Sequence, residues 1–319
     1  MAGLENRKRA VKKDILNNLN RRDDIMEFRG SYVALITPFT KNDEVDEEKI
    51  RELVDFHIKN GTSGIVPCGT TGEYPTLSYE EHEKVIRVVI EEAKGRIQVI
   101  AGAGSNNTKR AIELTEYAKS LGADAALSTC PYYNKPSQRG IFEHYKAIAE
   151  ATKFPLMIYN VPSRTGVNIE PETVLKLTEL SEVVAIKEAT GSIEQMIRIQ
   201  ELCGDRIAIL SGEDHLILPM LSIGAKGVVS VVANILPQEM ANLIKAFEEK
   251  AYDRAFDLHS NLYDISRNMF IEGNPVTVKA AMKILGLVDN DDVRLPLVSQ
   301  EEKNNEKLRK LFKDKGLIK

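Results

Sequence analysis

Val183-Val184-Ala185-Ile186-Lys187-Glu188-Ala189-Thr190-Gly191 opens on four apolar residues and breaks off at a lysine. An unbroken run of small and β-branched residues, closed by a Thr-Gly breaker, reads as a short strand covered on both faces, as in a parallel sheet. Lys187 then stands at the strand's end. An ammonium there is poorly hydrated, and desolvation disfavours the charged form, so its pKa falls and free amine accumulates near neutral pH. A free amine attacks ketones. A lysine that snorkels out of a strand end, or pairs with Glu188, would give the same residues a purely structural meaning. The rest of the chain has to decide between the two.

Outward from that strand, short apolar runs alternate with amphipathic helical stretches from Ser31 onward. Tyr32 to Ile36 is a strand stopped by Thr37-Pro38, and Asp46 to Lys59 is a helix with Asp46 as its N-cap. The unit repeats in Gly64-Ile65-Val66 with a helix from Ser78 to Ala93, and in Ile97 to Ile100 with a helix after Asn106. Ala125 to Leu127 with a helix near Ile141 to Ala151 is the fourth unit, and Pro155 to Tyr159 is the fifth strand. The run ending on Lys187 is the sixth, followed by Arg206 to Leu210 and Gly227 to Val231. Strands alternating with helices imply a parallel sheet, because each return crossover needs about a dozen residues or more. Eight units suit a closed (β/α)8 TIM barrel, in the α/β class, better than an open doubly wound sheet. Past Leu236 the pattern is helical, near 237–249, 251–270, 275–285 and 301–314. The first of these completes the eighth unit and the others make a C-terminal helical appendage. The expected organisation is an N-terminal extension over residues 1–27, a barrel over 28–250 and a helical region over 251–319.

Composition narrows the function classes. A chain of 319 residues that is 43% hydrophobic is globular, with a sizeable core. Net charge is −4 with acids and bases interspersed, so no nucleic acid or membrane surface is expected as a partner. The cysteines Cys68, Cys130 and Cys203 are scattered and odd in number, which suits a reducing cytoplasm. No apolar run approaches the roughly 18 residues of a membrane-spanning helix, and no signal-peptide core is present. In the extension, Val11, Ile15 and Leu19 recur at helical spacing, while five acids and no serine argue against a transit peptide.

Working residues in such barrels gather at the C-terminal ends of the strands. Strand two runs into Cys68-Gly69-Thr70-Thr71-Gly72-Glu73, where glycines let backbone N–H groups face a ligand beside two hydroxyls; an ordinary glycine turn with a helix cap has the same look. Strand four leads to Cys130-Pro131-Tyr132-Tyr133-Asn134-Lys135-Pro136, a rigid loop whose aromatics either present hydroxyls or pack on a neighbouring surface. Strand five ends in Tyr159-Asn160-Val161-Pro162-Ser163-Arg164-Thr165-Gly166, in which Arg164 can fork onto a carboxylate or simply meet solvent. Ser211-Gly212-Glu213-Asp214 after strand seven reads as a turn and helix cap. The histidines do not gather at strand ends and no carboxylate pair has ligand-like spacing, so no metal is expected. An amine, two tyrosines, threonine hydroxyls and an arginine on one rim point to Schiff-base chemistry. A lysine and a 2-oxo acid form an imine, the imine loses a proton to give an enamine, and the enamine carbon attacks an aldehyde.

Gly69 to Glu73, Tyr159 to Gly166 and Ile186 to Gly191 together resemble the signatures of the dihydrodipicolinate synthase family. That family lies among the pyruvate-dependent class I aldolases, with N-acetylneuraminate lyase. The likeness extends from about Phe28 to Leu297. The resemblance implies that Lys187 forms an imine with pyruvate, that Tyr159 gives and takes protons, and that Thr70 relays between Tyr159 and Tyr133. It further implies that Thr70 and Thr71 hold the pyruvate carboxylate, that Gly212 and Val229 line the substrate site, and that Arg164 binds the carboxylate of L-aspartate 4-semialdehyde. The residue matching Tyr133 enters from a neighbouring subunit, so a homodimer or homotetramer is implied. No cofactor is implied beyond the covalent pyruvate imine, and the reaction is the first committed step of diaminopimelate and lysine synthesis. Two other readings stand beside this one: a pyruvate aldolase acting on another aldehyde, such as N-acetylneuraminate lyase or a keto-deoxy-sugar-acid aldolase, and a silent relative that senses a 2-oxo acid. One departure concerns regulation. Lysine-inhibited members carry an acid where this chain has Arg110, although Asn106, His82 and Tyr132 remain. A cation there repels the effector's ammonium, so weak or absent lysine inhibition is expected.

Overall fold

The computed structural model describes residues 27–319. The expected N-terminal extension, with its amphipathic helix, lies outside the described residues except for Glu27. Eight parallel strands close on themselves in chain order. They are β1 (Gly30–Ala34), β2 (Gly64–Val66), β3 (Gln98–Gly102), β4 (Ala125–Thr129), β5 (Leu156–Asn160), β6 (Val183–Glu188), β7 (Ala208–Ser211) and β8 (Gly227–Ser230). Helices α1 (Glu47–Lys59), α2 (Tyr79–Ala93), α3 (Thr108–Ser120) and α4 (Gln138–Thr152) follow the first four strands. The fifth strand is followed by the short α5 (Pro162–Thr165) and by α6 (Pro171–Leu177), and the last three by α7 (Ile193–Cys203), α8 (Ile217–Ser222) and α9 (Pro237–Glu248). Three more helices, α10 (Tyr252–Asn268), α11 (Val276–Ile284) and α12 (Glu302–Asp314), lie beyond the last unit. This is the (β/α)8 TIM barrel that the alternation predicts. Among the described residues no helix is long and apolar enough to cross a membrane.

Side chains alternate along each strand, so the barrel has two cores. Tyr32, Ala34, Val66, Ile100, Leu127, Met157, Ala185, Leu210 and Val229 fill the inside, while Val33, Ile65, Ile158, Ile186 and Ile209 pack outward under the helices. On β6, Ala185 faces the inner core while Val183 and Ile186 face the outer one, and apolar residues on both faces explain why the sequence run looks uniformly apolar. Helix starts follow their caps. Asp46 accepts the N–H of Lys49 at 2.9 Å, and Ser78 with Glu81 forms a reciprocal capping box at the head of α2.

Two boundaries differ from the apolar runs. The ladder of β1 stops at Ala34, two residues before the run does, because the Asn234 side chain takes over. Its Nδ2 donates to the Ala34 carbonyl at 2.8 Å and its Oδ1 accepts the Ile36 N–H at 3.2 Å. The start of β7 is Ala208 rather than Arg206, since Gly204–Arg206 forms one 3-10 turn and the Arg206 Nε donates to the Cys203 carbonyl at 3.1 Å. Closure depends on Gly227, which pairs with Gly30; a Cβ at Gly227 would stand 2.0 Å from the Gly30 carbonyl oxygen. Gly227→Ala is therefore expected to destabilise the fold by about 3 kcal/mol. Gly273→Ala, where nothing lies within 4 Å, should stay within about 0.5 kcal/mol of the parent. Urea denaturation of both variants checks this, and equal stability would contradict it.

Candidate active site at the barrel mouth

Ala185 and Lys187 point into the barrel, and Ile186 and Glu188 point away from it. The ladder sets Lys187 level with Tyr159 on β5 and with Leu210 on β7. Its Nζ lies 4.3 Å from the centroid of the Tyr159 ring, and the residue is 6% exposed. The alternative pairing with Glu188 does not form. Glu188 faces outward, where it accepts from the Thr190 N–H at 2.8 Å, Asn160 Nδ2 at 3.0 Å and Gln195 Nε2 at 3.2 Å. Burial pushes the Lys187 ammonium down to about 8; the carboxylates of Asp214 and Glu213 oppose the shift and Arg164 adds to it. Gly212 provides the room, since a Cβ there would come within 3.2 Å of Lys187 Cε and 2.5 Å of Ala189 Cβ.

Thr70 lies near enough to Tyr159 to bear on its phenol. Burial raises its phenol to about 12, against the pull of Arg164 and of Thr70, so it carries its proton at neutral pH. Thr70 rides on the turn after β2, which is closed by Gly72 N–H to Gly69 O and Glu73 N–H to Thr70 O, both 3.1 Å. Beside it Thr71 is 2% exposed, and its hydroxyl accepts Asn274 Nδ2 at 3.0 Å. Arg164 sits on α5, exposed at the rim, with its charge felt by Lys187, Tyr159 and Glu213. Val229 is buried on the inner face of β8, level with Tyr32. Tyr133 is not brought to Lys187 by the single chain. It is 89% exposed with φ +70°, while its neighbour Tyr132 packs edge-on against Tyr74.

Some residues at the mouth carried no signal in the sequence. Asp214 does not cap the turn of helix that it opens; its carboxylate instead accepts the N–H groups of Val231 and Val232, just after β8, at 3.0 Å each. Its charge, together with that of Glu213, nevertheless bears on Lys187. Burial and then Asp214 raise Glu213 to about 7. Asn274 reaches Thr71 from far along the chain, and no local pattern marks it.

A model of the Dihydrodipicolinate synthetase family matches residues 27–315. The chain belongs to that family. A protein of Geotalea uraniireducens named 4-hydroxy-tetrahydrodipicolinate synthase is 56% identical over 291 residues, covering 91% of this chain and all of its own. Dihydrodipicolinate synthase from Aquifex aeolicus superposes with a TM-score of 0.88 at 48% identity, over 91% of this chain and 99% of that one. The chloride-inhibited dihydrodipicolinate synthase of Acinetobacter baumannii, complexed with pyruvate, superposes at 0.89 with 44% identity, over 92% of this chain and all of that one.

A lysine held near 8 in the fold and at 10.5 when unfolded makes stability depend on pH. Between those values the unfolded chain binds the extra proton, so stability rises with pH across that window; below it the penalty is constant. Lys187→Met removes the penalty and is expected to be the more stable protein at neutral pH, by on the order of 3 kcal/mol. The difference should shrink as pH climbs from about 8 towards 10.5. Urea unfolding of both proteins at several pH values measures it, and a variant less stable than the parent throughout would contradict it.

Proposed function

We propose that the protein is a lyase that condenses pyruvate with L-aspartate 4-semialdehyde through an imine on Lys187, as a 4-hydroxy-tetrahydrodipicolinate synthase. The observation that carries this reading is the desolvated Lys187 amine over the ring of Tyr159. The free amine adds to C2 of pyruvate, and the carbonyl oxygen leaves as water to give the imine. Loss of a methyl proton then gives an enamine, whose carbon attacks the aldehyde carbon of the semialdehyde; the semialdehyde's own amine then adds to the imine carbon and displaces the lysine amine, which closes the ring. Tyr159, protonated at neutral pH, gives and takes these protons with Thr70 behind it. Thr71 binds the pyruvate carboxylate, Gly212 and Val229 bound the substrate, and Arg164 forks onto the semialdehyde's carboxylate. No cofactor is needed beyond the covalent pyruvate.

Tyr133 completes the relay in a neighbouring subunit's site, and the protein works in the cytoplasm as a homodimer or homotetramer. The 89% exposure of Tyr133 supports that reading, because it leaves the side chain open to a neighbouring subunit. Regulation by lysine is weak or absent. In support, Arg110 lines a cavity of 450 Å³ with Tyr79, His82 and Tyr132, its guanidinium 3.6 Å from the centroid of the Tyr79 ring. A free amino acid would have to set its ammonium beside that cation.

The test is pyruvate consumption by the purified protein offered aspartate semialdehyde, N-acetylmannosamine or glyceraldehyde. Preference for the semialdehyde is expected, and preference for a sugar aldehyde would contradict the substrate assignment. Arg164→Ala should spare imine formation and raise KM for the semialdehyde roughly 10- to 100-fold, as expected for losing a charge-assisted fork. Loss of the imine in that variant would mean that Arg164 does not act where proposed. Millimolar lysine should leave the rate unchanged, and strong inhibition would overturn the assignment made to Arg110.

A further inference from the structure

One ionic contact lies outside the reacting groups and has no obvious place in a stability-minded fold. Lys279 on α11 pairs with Glu73, with side chains 2% and 0% exposed. The lysine's remaining contacts are a donation from Nζ to the Asp292 carbonyl at 2.8 Å and the Phe39 ring, whose centroid is 4.2 Å away. The other carboxylate oxygen of Glu73 accepts the Arg294 N–H at 3.1 Å. Glu73 holds a left-handed backbone at φ +55°, a conformation that side-chain-bearing residues seldom adopt. A buried ion pair on strained backbone is rarely more stable than two apolar residues of the same volume. What such a pair supplies is a single defined location.

The location it defines is that of the turn that carries Thr70 and Thr71. Glu73 is the last residue of that turn, and its N–H closes the turn onto the Thr70 carbonyl. The same C-terminal segment takes a second hold through Asn274 Nδ2 on the Thr71 hydroxyl at 3.0 Å. A third hold comes from Thr37, whose hydroxyl donates to the Gly72 carbonyl at 2.7 Å. These contacts together resist sliding of the turn, which keeps Thr70 near Tyr159. We propose that Glu73 and Lys279, with Asn274, are positioning residues for the condensation, by which the C-terminal helices set the height of the Thr70-Thr71 turn against Tyr159.

This proposal rests on the imine reading of Lys187, and its test keeps the two apart. Borohydride trapping with saturating pyruvate counts folded sites able to form the imine, and turnover is divided by that count. Lys279→Met leaves the Glu73 carboxylate buried without its partner. It should lower kcat per trappable site by about 10-fold or more. Adding Glu73→Gln to Lys279→Met removes the lone buried charge and should restore Tm without restoring kcat per trappable site, because the contact that sets the turn is still missing. Asn274→Ala should raise KM for pyruvate and lower kcat per site less. If kcat per trappable site is unchanged in these variants, whatever happens to Tm, the contacts only stabilise the fold and the proposal is wrong. Should Lys279→Met fail to fold, Glu73→Gln and Asn274→Ala alone decide by the same criterion. A parent protein that traps no pyruvate overturns the imine reading and this proposal with it, and is recognised by the absence of any adduct.

Discussion

Removing one ammonium from water is the constraint on which the rest of the site depends. Lys187 is buried at the end of a barrel strand, where an ion loses hydration that the protein only partly replaces. Two acids stand near enough to moderate that loss, and the amine still settles well below an ordinary lysine. Stronger pairing would restore the charge and remove the nucleophile. The fold avoids that outcome by spending its nearest acids elsewhere: Glu188 on the outer face of β6, and Asp214 on the backbone after β8. Glu213, raised to about 7, is a weak counter-ion at neutral pH.

The barrel turns this electrostatic balance into a geometry. Parallel register puts Tyr159 and Lys187 side by side on neighbouring strands and facing the same way. Strand ends from separate parts of the chain then add a hydroxyl on the turn after β2, a guanidinium on α5 and a glycine after β7 that keeps the lysine's path clear. Each contributing loop starts from a rigid strand, so small groups can be held at fixed heights around one opening. The turn after β2 is the exception, because β2 has three residues and the turn gets further support from the C-terminal helices.

Much of this was legible in the chain because periodicity and strand-end chemistry are local. The run ending on Lys187, the Gly-Thr-Thr-Gly turn and the loop holding Arg164 could all be read from adjacent residues, and the strand count led to the closed barrel. Boundaries slipped where a side chain replaced the ladder, as Asn234 does past Ala34, or where a turn preceded the strand, as at Gly204–Arg206. Asn274 and Lys279 were not legible, since what makes them matter is a contact with residues far off in the chain. Glu213 and Asp214 were read as a turn and cap. Asp214 instead bonds the backbone after β8, and the reading misses the charge both residues bring to Lys187. Tyr133 shows the opposite case: its role is implied by resemblance, and the single chain leaves it pointing into solvent.

The most direct measurement is the rate at which pyruvate becomes fixed to the protein under borohydride, followed from about pH 6 to pH 10, with the modified peptide identified by mass. Adduct on the peptide containing Lys187 is expected, at a rate that climbs with the free-amine fraction and levels off above about 8. Adduct on another lysine, or a rate still climbing towards 10.5 as for an ordinary solvated lysine, would contradict a desolvated Lys187 as the nucleophile.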